Sequence, residues 1–310
     1  MKNGEMVNPS DLFVYGSLKP GELGFRVLKP FVESYDLATL NGFDLFVRDG
    51  LAMIASGTGN RAVPGFLIHP RTGMEGEFVQ FVDAYEGTSN YSRKEVPVFV
   101  NGSVVMANAY VGRKIEQSHP ELIETWTTRL DPIFGESLPL LHRRICTFKY
   151  ENLDSANMPT PYWVQLNELL GNYLVLVSIL EHLLTVIYGG SRNLEPAARM
   201  KKFADSFETQ IIISKLLREN LIPDFRVRVS SKVEESYTTD NPNKVIEAWY
   251  QVRSNLQHRG KSSVHDAKIV LESCVGLTNF LSEFLVSEVE GLKEDWENLT
   301  EWPFEFAHIY

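Results

Sequence analysis

Hydrophobic and polar residues alternate in short runs through the first third of the chain. Between residues 11 and 115, runs rich in Val, Phe and Tyr are separated by Gly, Pro, Asn and Asp, which is typical of strands joined by turns. Asn101-Gly102 is the strongest hairpin signal, because both residues tolerate positive φ. The pattern predicts a small, mostly antiparallel barrel or strongly curved sheet with one or two short helices, among them the stretch GEFVQFVDAYEG.

The hydrophobic period changes from about residue 160 onward. Apolar residues recur at spacings of three and four through PYWVQLNELLGNYLVLVSILEHLLTVIY and through three later stretches. Asn241-Pro242 and Ser262-Ser263 are good helix-start signals, and Gly260 is a good stop signal. This part of the sequence predicts an all-α bundle of four or five long helices.

The two patterns together predict an α+β protein in three parts. Residues 1–115 are the β-rich domain, and residues 160–310 are the helical domain. Residues 116–159 are predicted to be an ordered connector, because they carry large apolar side chains such as Trp126 and Phe134. Within this connector, SHPELIETWTTRL predicts a further helix.

Composition narrows the possible functions. The net charge of −10 excludes a general polyanion binder, so contact with nucleic acid requires a local basic patch. Two cysteines are too few for a disulfide framework or a thiolate zinc site, and they favour a reducing, cytoplasmic setting. The seven histidines show no paired ligand spacing, so we expect neither a metal site nor a cofactor.

No secretory signal and no membrane span are expected from the hydropathy pattern. The N-terminal stretch MKNGEMVNPSDLF has no apolar core of the kind that signal peptides carry. The most apolar run, residues 173–188, is interrupted by Glu181 and His182 and is short for a bilayer. It is therefore interpreted as a buried core helix.

Candidate chemistry in the β-rich part lies in two segments. In DLFVYGSLKPGELG a strand is broken at Gly16, and successive N–H groups at such a break can bind a carboxylate. The later segment VDAYEGTSNYSRKEVPV places Glu86 at a helix end, and its Arg93 either holds the next strand or pairs with Asp83. Glu86 could transfer a proton while the loop at Gly16 fixes the substrate. Spacing alone favours a simpler interpretation, namely an ordinary turn and a solvated helix end.

Taken together, YGSL, VPGFLI and DAYEG resemble the γ-glutamylcyclotransferase-like family with its AIG2-like branch, over about residues 11–113. The resemblance implies a small mixed β-barrel and a catalytic role for Glu86. In the implied reaction, the α-amine of a γ-glutamyl group attacks the γ-carbonyl, an amine leaves, and 5-oxoproline forms. Such a carboxylate needs a pKa near neutrality, which partial burial supplies. The stretch VRDGLAMIASGTGNRA departs from the family pattern, so the substrate stays open. The substrate-binding residues that the resemblance implies are Tyr15, Gly16, Ser17, Leu18 and Tyr91.

A second candidate site lies in YQVRSNLQHRGKSS, which carries Arg253 and His258. A separation of five places the two side chains about 140° apart on an ideal helix. They converge only if the last turn loosens or if a two-fold partner supplies a second copy of the helix. The alternative is an ordinary cationic helix end, which the helix dipole favours.

The same stretch resembles the HEPN superfamily, over about residues 160–290. The resemblance implies a metal-independent endoribonuclease that acts as a homodimer, often in toxin–antitoxin systems or antiphage defence. His258 would act on the 2′-hydroxyl or the leaving 5′-oxygen, Arg253 would stabilise charge on the phosphorane, and Asn255 would orient one of them. Basic residues could meet RNA phosphates, although a solvated basic face is the alternative. These residues are Arg199, Lys201, Lys202, Arg226, Arg228, Arg259 and Lys261.

The sequence thus supports three hypotheses. The first is a HEPN-type endoribonuclease with an RNA substrate, whose N-terminal domain senses or modifies a small γ-glutamyl-type ligand. The second is a γ-glutamylamine cyclotransferase that the helical domain dimerises. In the third, both pockets are inert and the chain is a binding scaffold.

Overall fold

The computed structural model describes residues 10–57, 61–87, 89–113, 120–147, 160–188, 195–230, 233–259, 264–301 and 303–308. The chain divides into two compact units, and the division falls between Pro132 and Ile133. The first unit holds the described residues up to Pro132, with residues 185–188 and Glu288–Glu290. The second unit holds the other described residues. A small β-barrel in the first unit and helices in the second give the predicted α+β class.

The first unit is built on a closed barrel with the strand order β1-β5-β2-β6-β7. Its β1–β7 pair is parallel and its other pairs are antiparallel, so the barrel is mixed. The strands β4, β3 and β8 form a separate three-stranded sheet. The elements of this unit are β1 (Leu12–Val14), α1 (Phe25–Leu28), β2 (Val32–Asn41), β3 (Phe43–Arg48), β4 (Leu51–Ser56), β5 (Ala62–Pro70), α2 (Glu75–Glu86), β6 (Tyr91–Val100), β7 (Ser103–Gly112) and β8 (Glu121–Ile123).

The predicted hairpin at Asn101-Gly102 is confirmed. Both residues have positive φ, 49° and 80°, which suits the two-residue turns of tight hairpins. The turn pairs Val100 with Ser103 and thereby fixes the register of the whole β6–β7 ladder. In that register Arg93 lies opposite Tyr110, near the end of the barrel that is distant from the turn.

Strand β1 is apolar on both faces because it separates two parts of the core. Phe13 of β1 and Tyr15, which directly follows the strand, belong to the cluster that fills the barrel. Leu12 and Val14 belong to a second cluster, to which α2 contributes Phe78 and Val82 among others. Alternate side chains of a strand point to opposite faces, so this short strand anchors α2 to the barrel wall.

The prediction of a helix in SHPELIETWTTRL is wrong. Its described residues form β8 and a 3₁₀ turn at Thr128–Leu130. β8 pairs with β3, and the buried Trp126 donates its indole N–H to the Gly50 carbonyl at 2.9 Å. Backbone pairing and tryptophan burial here outweigh local helix propensity.

The second unit is mainly helical and also contains a β-hairpin that the sequence pattern missed. The apolar stretch after residue 195 forms two helices, because the backbone of Ser206 is extended (φ −71°, ψ 142°). Its elements are α3 (Leu138–Thr147), most of α4 (Thr160–Tyr188), α5 (Pro196–Ala204), α6 (Phe207–Arg218), β9 (Arg226–Ser230), β10 (Val233–Thr238), α7 (Val245–Arg259), α8 (Val264–Glu288, up to Ser287 in this unit) and α9 (Leu292–Thr300).

Two helices of the described chain, α4 and α8, are long and apolar enough to cross a bilayer by length and composition. Their apolar spans are Leu166–Tyr188, with mean hydropathy 1.7, and Ala267–Glu288, with mean hydropathy 1.5. About four fifths of the second span is buried inside the protein, 78%, against 44% of the first. The burial of α8 is that of a core helix.

Candidate functional site

The loop Tyr15–Leu18 directly follows β1 and passes close to β4. A Cβ atom on Gly16 would lie 2.7 Å from the Cβ of Ala52, so a side chain cannot be added there without a shift of one of these segments. The loop is closed by a turn in which the Lys19 amide donates to the Gly16 carbonyl at 3.1 Å. Ser17 remains partly exposed, whereas Leu18 is buried in the cluster beside α2.

Glu86 is the last residue of α2 and faces the same region. Gly87 ends the helix with φ 68°, and its amide donates to the Asp83 carbonyl at 3.2 Å. Positive φ favours glycine, so the pair Glu-Gly fixes the end of the helix at the acidic residue.

The Glu86 carboxyl lies in a low-polarity environment. Its side chain keeps partial access to solvent, yet burial raises the pKa of the carboxyl from 4.5 to about 7. Surrounding protein atoms replace water around the carboxyl and disfavour its charged form. Glu86 can therefore both accept and donate a proton near neutral pH.

Four tyrosine hydroxyls, those of Tyr15, Tyr85, Tyr91 and Tyr110, lie near enough to Glu86 to feel its charge. Burial is the main cause that raises the pKa of each, and the Glu86 charge raises each pKa further. The four phenols therefore remain protonated. Tyr85 also hydrogen-bonds with the Ser17 side chain, which links the helix end to the loop.

The phenols of Tyr15 and Tyr91 are held by backbone carbonyls. The Tyr91 hydroxyl donates to the Ala52 carbonyl at 2.8 Å, and the Tyr15 hydroxyl donates to the Tyr110 carbonyl. Both tyrosines are buried. Strands β4, β6 and β7 thus position the aromatic lining of the site.

An ion pair and a hydrogen bond hold the last turn of α2. Arg93 Nη1 lies 3.0 Å from Asp83 Oδ2, which is one of the two alternatives that the sequence left open for Arg93. The Tyr110 hydroxyl donates to the other oxygen, Asp83 Oδ1, at 2.8 Å. Asp83 is one helical turn before Glu86, so this clamp fixes the turn that carries the carboxyl.

The structure brings Tyr15, Ser17, Tyr91 and Glu86 together, as the sequence hypothesis requires. Sequence reasoning missed Tyr85 and Tyr110. Tyr110 could have been found, because the two-residue turn at residues 101 and 102 sets a register that places it opposite Arg93. Tyr85 had only one signal, its place next to Glu86.

The second predicted site is described in part. Arg253 Nη2 lies 3.2 Å from Glu181 Oε1, and Arg253 Nη1 donates to the Tyr250 hydroxyl at 3.4 Å. Asn255 accepts a hydrogen bond from Gln251 Nε2 at 2.9 Å. His258 lies within α7, but its side chain is outside the described residues.

Arg253 is not a cap of the helix end. It lies six residues before Arg259, the last residue of α7, and its guanidinium contacts Glu181 of α4. Of the predicted basic residues, Lys201, Lys202 and Arg226 are exposed and Arg199 is partly exposed. The side chains of Arg228, Arg259 and Lys261 lie outside the described residues.

Among the residues that the structure describes, no cluster of three or more His, Cys, Asp and Glu side chains could hold a metal ion.

Comparison with known families identifies the N-terminal part of the chain. Residues 12–128 match the family model described as "Gamma-glutamyl cyclotransferase, AIG2-like". This part of the chain is therefore an AIG2-like domain, which supports a cyclotransferase-like function. The match ends at residue 128, and the comparisons give no support for the HEPN resemblance of the helical part.

Individual proteins add little to the family match. A solution structure of a protein from Arabidopsis thaliana shares 24% identity, covering 34% of this chain and 68% of that one, with a TM-score of 0.28. A TM-score this low does not establish a common fold. No curated protein matches the chain significantly.

Proposed function

We propose that residues 12–128 form an active γ-glutamyl cyclotransferase with Glu86 as its acid–base residue. One observation carries the proposal: Glu86, with its pKa raised to about 7, faces the YGSL loop among tyrosine hydroxyls that stay protonated. The family match to the same residues supports the reaction class.

The reaction requires one group that takes up and returns protons. Glu86, as carboxylate, accepts a proton from the α-ammonium, and the freed amine attacks the γ-carbonyl to form a carbon–nitrogen bond. Protonated Glu86 then donates to the leaving nitrogen as its bond to the carbonyl carbon breaks. The attacking nitrogen loses two protons in all, the leaving amine gains two, and the carboxyl ends as it began.

The loop supplies the binding groups and the tyrosines line the pocket. Backbone N–H groups around Gly16 and Ser17 can hold the α-carboxylate of the γ-glutamyl group. The Tyr91 and Tyr85 hydroxyls donate their single protons to the Ala52 and Val186 carbonyls, at 2.8 and 3.0 Å, so either phenol would have to release its carbonyl to donate to the oxyanion that develops on the γ-carbonyl. Leu18 anchors the loop through its burial and does not itself contact the substrate.

The test is release of 5-oxoproline by the purified 310-residue chain from a panel of γ-glutamyl amines. We expect turnover, and an acid limb near pH 7 in the profile of kcat/KM, because ionised Glu86 is the base. Glu86→Gln should lower kcat/KM by about 100-fold or more. Glu77→Gln is the matched control, since Glu77 is exposed on the same helix. Absence of release from every member of the panel, or equal rates for the two variants, would contradict the proposal.

A second proposal concerns the helical part: an endoribonuclease of HEPN type, in which Arg253, Asn255 and His258 of a homodimer act on RNA. The observation that favours it is the position of Arg253, which is partly buried and lies well inside α7, where a helix-end cap is not the explanation. The ion pair with Glu181 would have to open for the guanidinium to reach a phosphate. Toxin or antiphage roles follow only if RNA is cut.

Two measurements test this second proposal. Light scattering should show a dimer, because the model requires two copies of α7 around one phosphodiester. RNA cleavage should be lost in His258→Ala and retained in His265→Ala, because His265 does not belong to the proposed set Arg253, Asn255 and His258. A monomer, or equal cleavage by both variants, would remove the nuclease hypothesis and leave the helical part without an assigned activity.

A further inference from the structure

The segment that follows the YGSL loop packs directly against it. A Cβ atom on Gly24 would lie 2.6 Å from the Ser17 carbonyl oxygen, so the two backbone segments touch at these residues. After Gly24 comes α1, a helix of only four residues without a side-chain cap. A helix this short is not stable by itself, so residues 21–26 need contacts from elsewhere to keep their place beside Ser17.

Two residues at the end of α8 supply such contacts. Glu288 Oε1 accepts a hydrogen bond from Arg26 Nη1 at 3.0 Å, and the side chains of both residues are only 16% exposed. The Glu290 amide donates to the Gly21 carbonyl at 3.1 Å. Solvent and salt weaken a mostly shielded ion pair less than a surface pair, so the loss of this pair should have a measurable effect.

Glu288–Glu290 belong to the first compact unit, although the family match ends at residue 128. Residues 185–188 also belong to this unit, and the Val186 carbonyl accepts a hydrogen bond from the Tyr85 hydroxyl at 3.0 Å. Tyr85 also hydrogen-bonds with the Ser17 side chain. The segment beside the loop and the end of α2 are therefore both in contact with residues from outside the matched part of the chain.

We infer that Glu288 is a positioning residue of the cyclotransferase site. Its ion pair with Arg26, together with the Glu290 amide, holds residues 21–26 against Ser17. The loop thereby keeps the conformation in which its N–H groups can bind the α-carboxylate of the γ-glutamyl group. This inference rests on the proposed cyclotransferase function, and it adds to the site a residue from outside the family match.

Glu288→Gln tests the inference, because it removes the charge and conserves the shape of the side chain. We expect KM for the γ-glutamyl amine with the highest rate in the panel to rise about tenfold and kcat to stay within about twofold, since the loop binds the substrate and Glu86 transfers the protons. Amide hydrogen exchange of residues 16–26 should be faster in this variant, because local opening of the segment costs less free energy.

Glu283→Gln is the matched control. Glu283 lies on the same helix and pairs with Lys215, and its side chain is 15% exposed, but both residues belong to the second unit. This variant should leave KM, kcat and the exchange of residues 16–26 unchanged. The double variant Arg26→Gln, Glu288→Gln should raise KM no further than Arg26→Gln alone, because both changes remove the same ion pair.

Equal rises in KM for Glu288→Gln and Glu283→Gln would show that any lost ion pair on α8 acts through general stability, and would overturn the inference. An unchanged KM in Glu288→Gln would also overturn it, while the cyclotransferase stands. If no γ-glutamyl amine is turned over, the proposed function fails and hydrogen exchange decides whether Glu288 anchors the loop. Faster exchange of residues 16–26 in Glu288→Gln alone supports this anchoring, and equal exchange in all variants overturns it.

Discussion

The Tyr110 hydroxyl donates a hydrogen bond of 2.8 Å to Asp83 Oδ1 and thereby joins β7 to the last turn of α2. Asp83 is also ion-paired with Arg93, so three elements converge on one carboxylate. Glu86 lies one turn further along the same helix. The orientation of the proposed acid–base residue therefore depends on a contact between residues 27 positions apart in sequence.

Removal of the Tyr110 hydroxyl should reduce turnover more than binding. A hydrogen bond to a charged group contributes about 1.5–3 kcal/mol, and its loss in Tyr110→Phe frees the turn that carries Glu86. We expect kcat for 5-oxoproline release to fall about tenfold, KM to change little, and the acid limb of the pH profile to move. Tyr35→Phe is the control, because Tyr35 is exposed in the same unit. An unchanged rate and pH profile in Tyr110→Phe would refute the positioning role of the clamp.

Because the pKa of Glu86 is raised in the folded state, the stability of the protein should decrease as pH rises. Between pH 4.5 and about 7 the folded state holds a proton that the unfolded state has released, so the free energy of unfolding decreases as pH rises through this window. Glu86→Gln cannot ionise and should be more stable than the wild type at pH 8, by about 1–3 kcal/mol. Urea unfolding at pH 5 and pH 8 measures this difference. A constant difference between the two proteins across the window would contradict the raised pKa.

Replacement of Gly16 and of Gly76 by alanine should change the stability of the protein in opposite directions. Gly16→Ala brings a Cβ to 2.7 Å from the Cβ of Ala52, and overpacking of this kind costs about 1–3 kcal/mol. Gly76 lies in the first turn of α2 with nothing within 4 Å of an added Cβ, so Gly76→Ala should stabilise by up to about 1 kcal/mol. The melting temperature and the rate of 5-oxoproline release should both fall in Gly16→Ala, and neither should fall in Gly76→Ala. If Gly16→Ala and the wild type have equal melting temperatures, the loop can move away from β4.

The buried polar residues of α8 should separate into those that stabilise and those that do not. Asn279 donates to the Leu221 and Ala307 carbonyls at 2.8 and 2.9 Å and accepts from the Ala307 amide at 2.9 Å. Asn279→Ala leaves these groups without partners and should destabilise by about 3 kcal/mol or more.

Thr278 is the matched control on the same helix. Its hydroxyl is buried and has no hydrogen-bond partner among the described residues. Thr278→Val removes an unsatisfied polar group while conserving shape, so stability should stay the same or rise by about 1 kcal/mol. Denaturant unfolding compares both variants with the wild type. A large loss in Thr278→Val would reveal a partner for this hydroxyl.

Local signals in the sequence determined a large share of the fold and part of the site. The change from period two to period three or four separates the barrel from the helices, because side-chain direction follows backbone geometry. Asn101-Gly102 fixed one hairpin and its register, since both residues accept positive φ. Glu-Gly after an amphipathic stretch placed Glu86 at a helix end for the same local reason.

Tertiary structure decided what local patterns cannot encode. The pairing of β8 with β3 replaced the predicted helix, and an extended Ser206 divided the predicted second helix in two. The raised pKa of Glu86 and its effect on the nearby tyrosine phenols depend on which distant segments the barrel brings together. Burial and electrostatic fields are sums over neighbours in space, whereas periodicity and turn chemistry are properties of neighbours along the chain.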